Sequence, residues 1–151
     1  MTKETFTALI LSSEDTLTGI AMSMLQNEKD CEDAIQTAIL TAFEKLHTLR
    51  NEKYFKTWLV RILINVCNKQ LKNRSRQAAL SNDSQLTETA KESMEVRIAI
   101  EILPLKIRQV IVLYYFEQFS VKEISVILKI PKGTVMSRLA RGRELLKTEL
   151  S

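Results

Sequence analysis

The chain has 151 residues, of which 45% are hydrophobic and 26% are charged, with only three glycines and two prolines. So few glycines and prolines disfavour a strand-rich fold, which needs many turns, and the hydrophobic share disfavours a disordered chain. We therefore expect an all-α protein. Two cysteines and one histidine are too few for a disulfide framework or a zinc cluster, so we predict no metal site and no cofactor.

The net charge of +4 is distributed in blocks along the chain. The blocks carry −5 over residues 1–46, +7 over 47–80, −3 over 81–101 and +5 over 102–151. Two basic blocks separated by an acidic one indicate two contacts with a polyanion, while the acidic first block suits a different partner. Solvated helix surfaces would produce the same blocks without any partner.

The first residues lack a signal-peptide pattern, and no apolar stretch approaches the length of a membrane span. We therefore expect a cytoplasmic protein that does not insert into a membrane.

Residues 30–46 have the apolar spacing of an amphipathic helix. One stripe at 3.6-residue spacing is predicted to face the core: Ile35, Ala38, Ile39, Ala42, Phe43 and Leu46. The opposite side carries acidic and amide groups and one leucine: Asp33, Gln36, Thr37, Leu40, Thr41 and Glu44. This side is either an ordinary solvated surface or a docking surface for a basic partner.

A second helix is predicted over residues 54–72, with a core-facing side made of Phe55, Leu59, Ile62, Leu63 and Val66. Another side carries an aromatic, amide and cationic row: Trp58, Arg61, Asn65, Asn68 and Lys72. Such a row suits unpaired bases and phosphates, and the preceding loop adds Arg50 and Lys53. The alternative is that Trp58 belongs to the core and Arg61 makes a surface ion pair.

Residues 73–93 lack aromatic and β-branched aliphatic side chains and show no apolar stripe, so they are predicted to be a flexible linker. The linker divides the chain into two small helical domains, residues 1–72 and 94–151. Because a flexible linker permits many arrangements, the relative placement of the two domains stays open.

The C-terminal domain has the spacing of a helix-turn-helix. Residues 95–116 form a helix pair interrupted at Pro104, and Ser120 with Glu123 forms a capping box that begins the next helix. That helix continues through residues 124–128 and ends near Pro131. The last helix has a core stripe of Val135, Leu139, Gly142 and Leu146.

In a helix-turn-helix, the second helix enters the major groove of DNA. Arg141 and Ser137 lie opposite the core stripe and are predicted to contact bases, with Arg138, Arg143 and Lys132 on phosphates. Thr134, Met136 and Ala140 complete the predicted DNA-facing surface. Arginines kept only for solubility are the alternative.

Three stretches of this chain together resemble a bacterial extracytoplasmic-function (ECF) sigma factor, the promoter-specificity subunit of RNA polymerase. DCEDAIQTAILTAFEKL resembles the family's polymerase-docking helix, and FKTWLVRILINVC resembles the helix that melts and reads the minus-ten element. LPLKIRQVIVLYYFEQFSVKEISVILKIPKGTVMSRLARGRELL resembles the domain that reads the minus-thirty-five element. In that stretch L-P-x-x-x-R, the E-I pair and G-T-V-x-S-R-L stand at family spacing.

The resemblance implies that core RNA polymerase and promoter DNA are partners, and that an anti-sigma factor controls the protein. It implies polymerase docking through Asp33, Gln36 and Phe43, and Thr37 and Leu40 complete the predicted docking surface. It places Asn65 near the captured minus-ten base, and the predicted minus-ten surface also includes Arg50, Lys53, Trp58, Arg61, Asn68 and Lys72. It places Ser137 and Arg141 near the bases of the minus-thirty-five element, and the predicted surface there also includes Lys132, Thr134, Met136, Arg138, Ala140 and Arg143.

Four positions depart from the family pattern. Thr37 stands where glutamate is usual, Lys69 replaces a common aspartate, and Met136 replaces a frequently basic residue. Lys129 occupies the usual turn glycine, where a left-handed backbone would cost roughly 1 kcal/mol for any other residue.

Two other classes of protein are alternatives to this resemblance. An autonomous helix-turn-helix regulator would be a dimer that binds palindromic half-sites, but the chain shows no heptad seam for dimerisation. A small helical enzyme is disfavoured, because the sequence has no phosphate loop, metal cluster or nucleophile with a base. We therefore do not expect an enzyme.

Overall fold

The computed structural model describes residues 1–81 and 95–150, with side chains over 1–77 and 98–148. Every regular element in these ranges is helical, so the all-α prediction is confirmed. Two 3-10 turns, Leu46–Thr48 and Glu52–Tyr54, and a π-helical turn, Val112–Phe116, accompany the α-helices. The α-helices are α1 (Lys3–Ser12), α2 (Glu14–Leu25), α3 (Glu28–Glu44), α4 (Phe55–Ser81), α5 (Glu95–Glu101), α6 (Leu105–Ile111), α7 (Val121–Leu128) and α8 (Lys132–Leu150).

Helices α1–α4 form an N-terminal bundle whose boundaries follow from local capping. The Asn27 side chain accepts a hydrogen bond from the Asp30 amide at 3.0 Å and begins α3. Gln26, with φ of 55°, ends α2 in the left-handed conformation. The fully buried core of the bundle includes Leu17, Ala21, Ala34, Ala38, Leu59 and Leu63.

The predicted core stripe of α3 is displaced around the helix. The buried residues are Cys31, Ala34, Ala38 and Ala42, whereas the side chain of Phe43 is 50% exposed. Ile35, Ile39 and Leu46 are only partly buried at the border of the core. The small alanine side chains allow α2 and α4 to approach α3 closely, so the wider residues lie at the border of the contact.

Helix α4 is buried on more sides than the sequence predicted. Phe55, Leu59 and Leu63 face the core as expected, but Ile62 and Val66 are only partly buried. Val60, Ile64 and Cys67 are buried instead. The reason is that α4 packs against α2 and α3 and also against α7 of the C-terminal domain.

The predicted linker begins too early. Helix α4 continues to Ser81, and Arg74 donates a hydrogen bond to the Leu25 carbonyl at 3.1 Å and pairs with Asp30. These contacts tie residues beyond 72 to the N-terminal bundle. The rest of the predicted linker, residues 82–93, lies outside the described residues.

The helix-turn-helix prediction is confirmed in its details. The Glu123 amide donates to Ser120 Oγ at 3.0 Å, and the Ser120 amide donates to Glu123 Oε1 at 2.9 Å. Helix α7 ends at Lys129, whose φ of 56° and ψ of 47° are left-handed. The core stripe of α8 is buried at Val135, Leu139 and Gly142, with Leu146 partly buried.

The two domains pack directly against each other, an arrangement that the sequence left open. Helices α2 and α4 contact α6 and α7, and the apolar core is continuous across the contact. Gln26 Nε2 donates to the Glu101 carbonyl at 3.1 Å, and Gln109 Nε2 lies 3.8 Å from Met24 Sδ. The Lys56 ammonium lies 5.6 Å from the centre of the Phe119 ring.

Candidate nucleic-acid interface

Helix α8 presents the side predicted to contact DNA to solvent. Val135 and Leu139 anchor the helix in the core, and their burial orients the opposite side outward. Ser137, Ala140 and Arg141 are exposed there. Of the other predicted residues, Lys132, Met136 and Arg143 are exposed, and Thr134 and Arg138 are partly buried.

The polar side chains of α8 make contacts that a ligand can replace. Ser137 Oγ donates to the Thr134 carbonyl at 3.1 Å. Arg141 Nη1 lies 3.2 Å from Glu144 Oε2, and both side chains are largely exposed. Because an exposed ion pair contributes about 0–1 kcal/mol, this contact does little to fix the Arg141 side chain.

Arg143 is positioned by an aromatic side chain outside the helix. Its Nη1 donates to the hydroxyl oxygen of Tyr115 at 3.0 Å, and Tyr115 stacks on Tyr114 with a ring-centre separation of 5.0 Å. Arg143 is thus bonded to a residue of the π-helical turn Val112–Phe116, whereas Arg141 contacts Glu144 of its own helix.

The predicted row on α4 has two different environments. Trp58 and Arg61 are partly buried, and the Trp58 ring packs against Phe55 with a centre separation of 5.8 Å. Trp58 therefore packs against the core while part of its side chain stays accessible to solvent. Further along the helix Asn65, Asn68 and Lys72 are exposed, as are Arg50 and Lys53 in the preceding loop.

Residues predicted for two different promoter elements line one cleft. Asn65, Asn68 and Lys72 of α4 border a cavity of about 540 Å³ together with Arg138 of α8. Lys106 and Lys129 of the C-terminal domain line the same cleft, and neither belongs to a surface predicted from the sequence. Lys129 was visible only as a departure from the family pattern.

The predicted docking surface lies on the exposed side of α3. Asp33, Gln36 and Thr37 are exposed, and the apolar side chains of Leu40 and Phe43 are 60% and 50% exposed. The Phe43 ring contacts Phe6 edge to face with a centre separation of 5.6 Å. Exposed apolar groups with polar residues around them are typical of a protein-binding site.

Neither cysteine lies on the predicted DNA-binding surfaces or on the predicted docking surface. Both thiols are free and buried, and burial raises the pKa of Cys67 to about 12. Within residues 1–81 and 95–150 no cluster of His, Cys, Asp and Glu side chains is arranged to hold a metal ion. None of the helices in the same ranges combines the length and hydropathy of a membrane span.

A helix-turn-helix with an exposed arginine surface is the architecture of a DNA-binding protein. Residues 9–77 match the family described as Sigma-70 region 2, and residues 93–146 match Sigma-70, region 4. The chain is 30% identical to the ECF RNA polymerase sigma factor SigW of Bacillus subtilis, covering 98% of this chain and 90% of that one. It is 28% identical to the RNA polymerase sigma-H factor of Pseudomonas aeruginosa, covering 98% and 87%.

Solved structures share the fold. The sigma factor RpoE from Bartonella quintana, crystallised with the anti-sigma factor NepR, superposes with a TM-score of 0.88 at 24% identity over 97% of both chains. CnrH, in complex with the cytosolic domain of CnrY, superposes with a TM-score of 0.75 at 22% identity over 99% of this chain and 89% of that one. The chain belongs to the ECF sigma factors of the sigma-70 family, and its function is promoter-directed initiation of transcription with RNA polymerase.

Proposed function

We propose that α8 reads the minus-thirty-five element and that the exposed row of α4 with its preceding loop captures the minus-ten element. The observation that carries this proposal is the position of Ser137 and Arg141. They lie on the solvent side of a helix that directly follows the left-handed turn at Lys129, opposite the buried Val135 and Leu139. This is the geometry in which a recognition helix enters the major groove.

The exposed side of α3 is the proposed docking surface for core RNA polymerase. Asp33 and Gln36 supply an anionic and an amide group, while Leu40 and Phe43 supply exposed apolar area. A basic partner surface with an apolar pocket would complement both. Thr37, where glutamate is usual, reduces the negative charge of this surface.

The protein acts as a binding factor in the cytoplasm, where polymerase and promoters are found, and it catalyses no reaction. An anti-sigma factor is its proposed inhibitor. The support for this is that RpoE was crystallised with the anti-sigma factor NepR, and that CnrH was solved in complex with the cytosolic domain of CnrY. The packing of the two domains brings Asn65, Asn68 and Arg138 to one cleft, whereas the proposed minus-ten and minus-thirty-five contacts belong to two separate promoter elements.

A gel-shift experiment with and without core polymerase tests the proposal. Two weak contacts on one chain gain effective concentration only when polymerase holds both sites on the promoter. The protein alone should therefore bind duplex DNA weakly and with little sequence preference, and the complex with core polymerase should select promoters from a random library. Tight, sequence-specific binding to palindromic DNA by the protein alone would instead identify an autonomous regulator.

A further inference from the structure

We infer that the cleft between the two domains is a binding site for a small polyphosphate anion. Four cationic side chains reach this cleft from four different parts of the chain: Lys72 from α4, Lys106 from α6, Lys129 after α7, and Arg138 from α8. Two of them, Lys106 and Lys129, have no place in the proposed promoter contacts.

The charge of the cleft is unbalanced. No aspartate or glutamate is among its lining residues. Within residues 1–81 and 95–150, none of the four cations makes an ion pair; the ion pairs described there are those of Arg74 and Arg141. Like charges gathered in a cleft repel one another and concentrate positive potential, which a bound anion would relieve.

Lys129 has a conformation that its residue type does not favour. Its φ of 56° and ψ of 47° place it in the left-handed region, where glycine is the usual helix terminator. A lysine is retained there although glycine would fit the backbone without strain. Strain at a residue that borders a cationic cleft is explained if the ammonium group is used to bind a ligand.

The remaining lining residues suit a phosphate chain that carries an organic group. The amides of Asn65, Asn68 and Gln109 offer hydrogen-bond donors and acceptors. The apolar lining residues are Ile64, Leu71, Leu105, Ile127, Leu128 and Ile130. The volume of about 540 Å³ is within the usual range for small-molecule sites. A nucleoside polyphosphate would place its phosphates on the cations and its base on this apolar lining.

The test is isothermal titration calorimetry of the full chain with sodium tripolyphosphate and with ATP. Thermal unfolding is then measured in the presence of each anion. Both anions should bind, and both should raise the melting temperature because they bridge the two domains. Lys129→Gly should weaken binding about tenfold through the loss of one charge-assisted contact. Because this change also relieves backbone strain, the free variant should be at least as stable as the parent, so that unfolding is not the cause of the loss.

Lys122→Gln is the matched control, since Lys122 is an exposed lysine on α7 that does not line the cleft. It should leave both affinities unchanged, whereas Lys106→Gln should weaken both. Tighter binding of ATP than of tripolyphosphate would place the base on the apolar lining, and equal binding would assign recognition to the phosphates alone.

Three results would overturn the inference: no binding of either anion at physiological salt, an equal loss in Lys129→Gly and Lys122→Gln, or tighter binding of a hexaglutamate peptide than of both phosphates. The last result would assign the cleft to an acidic protein segment. A gel-shift result that contradicts the proposed promoter contacts would not change any of these anion-binding outcomes.

Discussion

Gly142 of α8 lies directly against Ile111 of α6. A Cβ atom built on Gly142 would be 2.6 Å from Ile111 Cδ1 and 3.1 Å from Ile107 Cγ2, both shorter than an ordinary contact between carbon atoms. The absence of a side chain at this position therefore sets the separation of α8 and α6. That separation holds α8 so that Ser137 and Arg141 face solvent.

Gly142→Ala is expected to destabilise the protein. The overpacking costs about 1–3 kcal/mol, and the better helix propensity of alanine offsets up to about 1 kcal/mol of it. Gly133→Ala is the matched control on the same helix, because nothing lies within 4 Å of its Cβ position. Urea unfolding should show a lower midpoint for Gly142→Ala and an unchanged or higher one for Gly133→Ala; equal stabilisation by both would contradict the proposed close contact.

Arg108 is expected to stabilise the C-terminal domain through the turn between α5 and α6. Its buried guanidinium donates from Nη1 to the carbonyls of Glu101 and Leu103, both at 2.9 Å. Burial lowers the pKa of Arg108, and the nearby charge of Glu101 opposes this shift. The arginine of the L-P-x-x-x-R motif is thus a structural residue in this chain.

Arg108→Met should lower the free energy of unfolding by about 2–4 kcal/mol, because two charge-assisted hydrogen bonds are lost and a buried carbonyl loses its donor. Lys122→Met, at an exposed position, should change it by less than about 0.5 kcal/mol. Chemical unfolding followed by circular dichroism measures both. Similar midpoints for the two variants would mean that the turn does not depend on the guanidinium.

Glu117 is expected to give the stability of the protein a specific pH dependence. Burial raises the pKa of its carboxyl group above the ordinary value, while hydrogen bonding to Thr16 and the charge of Lys56 lower it and Asp15 raises it slightly. A raised pKa means that the folded state binds the proton more tightly than the unfolded state. The stabilisation is therefore complete below the ordinary glutamate pKa and is lost as the pH rises through the raised value.

Glu117→Gln should remove this pH dependence, because the amide stays neutral and still accepts a hydrogen bond from Thr16. The variant should be at least as stable as the parent at neutral pH, and its relative advantage should shrink as the pH falls towards 4.5, the reference value for glutamate. Urea midpoints measured from pH 4 to pH 7 test this. A parent and variant that change in parallel would show that Glu117 does not titrate differently on folding.

Local sequence signals predicted the helix-turn-helix well. The Ser120 and Glu123 capping box, Pro131 and the stripe through Val135 and Leu139 each act over a few residues, and the structure contains all of them. Lys129 occupies the usual turn glycine in the sequence, and the structure shows that its backbone is left-handed. Such features depend mainly on residues close in sequence, which is why local patterns predict them.

The predictions that differ from the structure depend on contacts between residues that are distant in sequence. On α3 the isoleucines dominate the hydropathy pattern, yet the alanines are buried, since the close approach of α2 and α4 favours small side chains. Residues 73–81 lack an apolar stripe but extend α4, because Arg74 contacts Leu25 and Asp30 of the N-terminal bundle. The cleft cations meet only through the packing of the two domains, which no periodicity predicts.

Asp33→Lys is expected to abolish binding to core polymerase without unfolding the protein. The side chain is exposed on α3, so the change alters the charge of the proposed docking surface but not the core. Glu14→Lys, at an exposed position in the first turn of α2, is the control for charge alone. A pull-down with purified core polymerase should lose only the Asp33 variant, and its retention would remove this side of α3 from the docking surface.

Arg141 and Arg143 are expected to differ in what they contribute to promoter recognition. Arg141 lies on the outward side of α8 with only an exposed ion pair to Glu144, whereas the guanidinium of Arg143 is bonded to Tyr115 at the flank. Arg141→Ala should therefore cost about 1–3 kcal/mol at one base pair of the minus-thirty-five element and relax specificity there.

Arg143→Ala should weaken binding to every promoter sequence alike and reduce the dependence on salt, since a phosphate contact carries no sequence information. Gel shifts of the polymerase complex on single-base promoter variants distinguish the two patterns, and a uniform loss in Arg141→Ala would reassign that residue to the phosphates.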